Sequence, residues 1–165
     1  MGIIFVFLFL LVIENIFLPA LIGPGRFLIV PIFILGLLLY SRSWRTLAYQ
    51  AIPFVLIAEF FTGSSTGSFL VPFAITAVIY ILINKFIGLS ENLQENISFS
   101  GIAVSALILA GFTFLYSGFF IFLNGSYDIG AGWNEFRLFF TGSLLSILGW
   151  SAAISVLFKY VLRTK

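Results

Sequence analysis

The stretch AEFFTGSSTGSFLVPFAITAVIYILINKF, Ala58 to Phe86, decides how the whole chain is read. An acid, Glu59, closes one apolar run, and Thr62 to Ser68 are all Gly, Ser or Thr. Apolar sequence then resumes at Phe69 and continues to Ile87 with few interruptions. Small residues between two long apolar segments suit a tight helical hairpin, because glycine takes positive φ at no steric cost. The pattern predicts Gly63 and Gly67 in that role. It also predicts that Glu59 braces the hairpin by accepting hydrogen bonds from free amides at the start of the next helix, where the helix dipole favours an anion.

The rest of the chain says which solvent such a hairpin occupies. Of its 165 residues, 61% are hydrophobic and only 8% charged, with 22 Phe. The mean hydropathy is +1.19. Soluble domains carry about 25% charged residues. The chain therefore reads as an all-α membrane protein, a polytopic bundle whose natural surroundings are the lipid bilayer. Cysteine and histidine are both absent, which removes disulfides, thiol chemistry, Cys/His metal sites and the usual His-dependent nucleophile pairs. A net charge of +2 is too small to suggest nucleic acid.

Six transmembrane segments are expected, at about 3–22, 27–40, 47–61, 69–87, 102–123 and 138–162, forming one membrane domain over residues 1–165 with no appended soluble domain and no internal repeat. The first lacks the leading basic residues and small-x-small site of a signal peptide. The second and third are short for a full crossing and read either as tilted or as a re-entrant pair buried by neighbours. Pro19, Pro31, Pro53 and Pro72 fall within the first four, each expected to kink its helix. Arg42, Arg45, Lys85, Lys159, Arg163 and Lys165 lie on one side of this arrangement, against Arg26 and Arg137 on the other. That asymmetry predicts cytoplasmic N and C termini and an outward-facing Ser/Thr/Gly turn.

Two acids, Glu14 and Glu59, stand within apolar sequence. A charge at membrane depth costs about 2.5–3.5 kcal/mol on insertion scales, so such residues face protein or water. Each is either a ligand or proton site, an interfacial carboxylate that reaches water, or a packing lock between helices, with Arg26 and Asn15 as available partners for the two acids. The segment SYDIGAGWNEFR, Ser126 to Arg137, supplies Asp128 and Trp133. It reads either as an interfacial aromatic turn or as the cap of a ligand cavity. LSENLQENISFS, Leu89 to Ser100, reads as a short surface helix on the inner side. Lys159 is expected to snorkel to the headgroups, and Ala106/Ala110 and Gly149/Ala153 have the spacing for close helix approach. Nucleotide-binding, metalloprotease and serine-hydrolase signatures are missing, so neither enzyme activity nor a cofactor is expected.

The order of features resembles the rod-shape-determining protein MreD family. ENIFLP followed by GPGRFLIVPIFILGLLLY is similar to that family's first two helices. The stretch from Ala58 to Phe86 matches its acid at the end of span three (Glu59, where Asp is more usual), a turn with two spaced glycines (Gly63 and Gly67) and a long apolar fourth span. The resemblance covers roughly Ile13 to Phe86. It implies a non-enzymatic scaffold of cell-wall elongation that binds the bitopic protein MreC and, through it, wall synthases and the actin-like MreB. It also implies a fold similar to the substrate-binding subunits of energy-coupling-factor vitamin transporters. Those subunits provide the alternative function, with Glu14, Glu59, Asp128 and Trp133 around an outward cavity.

Overall fold

A computed structural model describes residues 2–22, 28–40, 44–62, 67–87, 99–124 and 129–161. Every described segment is helical, as long apolar runs must be when each backbone N–H and C=O has to find its partner within its own segment. Helix α1 runs Gly2–Val12, continues through a π-helical turn at Ile13–Phe17 and ends with Leu18–Ile22. Then follow α2 (Ile29–Tyr40), α3 (Trp44–Thr62), α4 (Leu70–Ile87), α5 (Phe99–Asn124) and α6 (Ile129–Val156, extended by a second π turn, Leu157–Val161). Three of these helices contain stretches long and apolar enough to cross a membrane: Gly2–Leu21, Ser100–Leu123 and Trp133–Tyr160.

The shortest helix is the centre. Every residue of α2 from Ile29 to Leu39 is buried, and α1, α3, α5 and α6 all pack on it. At 1.5 Å per residue a helix of this length spans only about 18 Å, well below the ~30 Å of a hydrocarbon core. Its neighbours cover it on all sides, so it has no lipid-facing length to match. Aromatic rings tie the surroundings together: Phe7 of α1 stacks on Phe54 of α3 with centroids 4.2 Å apart, and Phe158 of α6 stacks on Tyr40 at 5.2 Å. Gly36 lets Phe158 approach so closely that a Cβ there would lie 2.6 Å from the ring. The Tyr80 hydroxyl of α4 donates to the Leu39 carbonyl (3.4 Å), meeting one of the acceptors left open at the end of α2.

Outside this centre the molecule is apolar on its surface. Phe5, Leu21, Phe60, Phe86 and Leu145 are among the large exposed side chains, an arrangement water would penalise. Several hydroxyls taken into the interior bond back to their own helix. Thr76, Thr113 and Ser117 donate to carbonyls four residues earlier, and Ser105 to one three earlier.

Several expectations change. The third helix is longer than expected, at 19 residues, but only Ala51–Thr62 of it, like Ile29–Tyr40 of α2, is a shorter apolar helix. Pro31 and Pro72 do not kink anything: each is the third residue of its helix, where the missing N–H has no intrahelical acceptor. Pro53 lies in a helix interior, and Pro19 lies within α1 just past its π turn. The sixth helix begins at Ile129, well before the expected 138, so Trp133, Glu135 and Arg137 are helical and the aromatic turn or cap expected over Ser126 to Arg137 does not include them; residues 125–128 lie outside the described residues. Gly130 and Gly132 read as loop, but Phe136 packs on Gly118 and near Phe122. That packing carries the α5–α6 interface past them and outweighs the roughly 1 kcal/mol helix penalty of each glycine. Lys159 is buried on the face that Ser151 and Ser155 begin, at successive i+4 positions, and does not reach the surface. Ala106 and Ala110 are buried, whereas a Cβ on Gly149 would meet open space and Ala153 is exposed. The expected surface helix over 89–100 lies, but for its last two residues, outside the described residues.

Candidate functional site

The two acids that stand in apolar sequence do the same job at successive hairpins. An α-helix begins with backbone N–H groups that have no partner of their own, and in an apolar interior each must be met. At the start of α4, the Phe69 and Leu70 amides donate to Glu59 Oε1 at 2.8 and 3.0 Å. The Val71 amide donates to the Gly67 carbonyl (2.9 Å), Pro72 has no N–H, and the Phe73 amide starts the helical ladder on Phe69 (3.1 Å). Every donor of the first turn is accounted for. Gly67 supplies the carbonyl from a left-handed conformation, φ 95°.

At the start of α2 the plan repeats. The Val30 amide donates to Glu14 Oε2, with the Leu28 and Ile29 amides close to the same carboxylate. Pro31 again has no N–H, and the Ile32 amide starts the ladder on Leu28 (3.0 Å). The sequences match as well: FLIVP at 27–31 and FLVP at 69–72 each follow an acid and a connecting loop. The likeness is confined to these few residues and does not amount to an internal repeat. The acid lies at a different distance in each. The overlooked signal is a proline at the third helical position preceded by Phe-Leu and Val.

The two acids differ in their surroundings. Glu59 is 5% exposed, at the end of α3, with Thr62 folding back to the Ala58 and Glu59 carbonyls. Glu14 is half-buried and sits in the π turn of α1. Pro19 explains that turn. In a regular helix its ring would crowd the Asn15 carbonyl and leave it unpaired; the wider π turn relieves this, and the Leu18 amide reaches back to Ile13. Leu28, which opens α2, has φ 58°. A left-handed leucine costs roughly 1–2 kcal/mol, and here it aims the Leu28, Ile29 and Val30 amides at one carboxylate.

Glu14 also faces a cavity of about 280 Å³ at the end of the bundle where α1 and α3 finish and α2 and α4 begin. Its polar wall is Glu14, Asn15, Thr62 and Ser117. Aromatic rings from Phe69, Tyr116, Phe120 and Phe139 form the opposite lining, with Phe69 and Phe120 edge-on at 5.2 Å. Asn15 donates to the Leu11 carbonyl at 3.0 Å, so its side-chain oxygen is left as the acceptor. The Thr62 and Ser117 hydroxyl protons likewise point to backbone carbonyls.

Of the residues singled out in the sequence, the structure brings Glu14 to the cavity and places Glu59 behind it, against α4. Trp133 lies on the exposed side of α6 beside Phe136 (5.9 Å) and does not line the cavity. Gly63, Asp128 and Arg26 lie outside the described residues. Asn15 joins the cavity wall without bonding to Glu14, whose partners are backbone amides. Tyr116, Ser117 and Phe120 were not foreseen, because on α5 they read as ordinary apolar-span residues. No protein-family model matches the chain, and no curated protein or solved structure shows significant similarity to it.

Proposed function

We propose that this chain is a non-enzymatic, multi-pass membrane scaffold of the bacterial inner membrane, similar to MreD, which docks a bitopic partner of the cell-wall elongation machinery. One observation carries the reading: both acids in apolar helices are engaged by backbone amides at helix starts. Such carboxylates build hairpins, and a rigid bundle with an apolar exterior suits a protein that acts by holding helices of others. The asymmetry of Lys and Arg supports cytoplasmic termini. A second reading, the substrate-binding subunit of a vitamin transporter, is favoured by the cavity beside Glu14.

Affinity purification from native membranes in mild detergent separates the two. A bitopic coiled-coil protein recovered with wall synthases is the expected result. Recovery of paired ATPases with a coupling membrane subunit would replace the first reading by the second. Orientation is testable without background, since the chain contains no cysteine. In intact cells Ser126→Cys should react with a membrane-impermeant maleimide, and Ser90→Cys only after permeabilisation; the opposite pattern would reverse the topology.

A further inference from the structure

The cavity wall is rich in hydrogen-bond acceptors. Glu14 offers carboxylate oxygens, Asn15 has its amide N–H₂ directed to Leu11, and Ser117 has its hydroxyl proton directed to Thr113. Glu14, Asn15 and Ser117 therefore each keep an acceptor available to the space, beside the second N–H of Asn15 and the Tyr116 hydroxyl. The rings of Phe69, Tyr116 and Phe120 share the lining, and aromatic faces attract positive charge. Among the described residues no Lys or Arg lines the cavity.

We propose that this cavity is a binding site for a small organic ammonium ion, a protonated primary or secondary amine carried on an apolar or aromatic body. The ammonium N–H groups meet Glu14, Asn15 and Ser117, and the body lies on the Phe69–Phe120 pair. A volume of about 280 Å³ accommodates a molecule of phenylethylamine size and excludes a folded peptide. A carboxylate or phosphate of the same size would be brought against the Glu14 carboxylate with no described cation to receive it, so the site discriminates by charge sign as well as by shape. The inference does not depend on the scaffold reading. A ligand here would join the end of α1, the starts of α2 and α4, and α5, in a scaffold as in a transport subunit.

The test uses the purified full chain in detergent, with thermal unfolding and calorimetry in the presence of 2-phenylethylammonium, 2-phenylethanol or phenylacetate. Saturable stabilisation by the ammonium is expected, with the alcohol weaker by about tenfold or more, as fits loss of charge-assisted hydrogen bonds, and no effect of the carboxylate. Ser117→Leu fills the cavity from α5 without touching the carboxylate that holds α2, and should abolish the ammonium effect while the protein still unfolds cooperatively. Glu14→Gln should narrow the preference for ammonium over alcohol. No ammonium binding, equal stabilisation by all three compounds, or unchanged binding in Ser117→Leu would each overturn the proposal. Partner recovery in the purification described above is read independently, so either idea can fail alone.

Discussion

The Glu14 and Glu59 latches are one device in two settings. Each joins the end of a helix to the first turn of the next by a carboxylate on backbone amides, with proline at the third position. At Glu59 the carboxylate is sealed among apolar side chains, and the helix it holds, α4, keeps exposed residues along its length, including Val71, Val78 and Leu82. At Glu14 the carboxylate faces a cavity, and the helix it holds, α2, is enclosed by four others. Hydrogen bonds and surroundings together set what each latch contributes. Glu14 accepts from the Val30 amide and Glu59 from those of Phe69 and Leu70, and α2 is held by four other helices as well.

The largest effect is expected from Glu59→Ala. It leaves the Phe69 and Leu70 amides buried without a partner, at about 1–3 kcal/mol for each group; a loss of roughly 3 kcal/mol should appear in thermal unfolding followed by circular dichroism in detergent. An unchanged midpoint would remove the latch from the account of this hairpin. Gly36→Ala comes next, at about 2 kcal/mol, in the range for overpacking a filled core. Phe158 is held between Phe33 and Tyr40 and has little room to yield. This substitution also sharpens the comparison. If enclosure is what holds α2, then Gly36→Ala and Glu14→Ala combined should cost more than their sum.

Glu14→Ala alone should cost less than Glu59→Ala, about 1–2 kcal/mol, because water entering the cavity can replace the carboxylate on the Val30 amide. A larger loss than at Glu59 would break the comparison as drawn. The smallest effects belong to Pro31→Ala and Pro72→Ala. Each adds an N–H in the first turn and frees the unfolded chain slightly, so both should stay within about 1 kcal/mol and resemble one another. A large loss at either one would mark a real packing role for that ring.

Trp133 and Glu59 show where sequence reasoning reached and where it stopped. The acid–turn–apolar pattern around Glu59 is local, with all its parts within one hairpin, so its hydrogen-bond partners could be named from spacing. Trp133 reads as part of an aromatic turn or a cavity cap because Gly130, Gly132 and polar neighbours look like loop. A helix there depends on Phe136 meeting Gly118 and Phe122, residues of another helix that spacing along the chain does not bring together.

The amino-acid sequence by itself determined a helical chain with an apolar exterior, the approximate course of its helices and the small-residue turn after Glu59. Composition and runs of apolar residues decide these, since a backbone in apolar surroundings has to satisfy itself locally. The tertiary structure alone decided that the shortest helix is the hub, that Glu14 serves α2, and that α5 turns Tyr116, Ser117 and Phe120 toward a common cavity. Those outcomes depend on which faces of six similar helices meet. Helices that are apolar all round carry little information about that in their own periodicity.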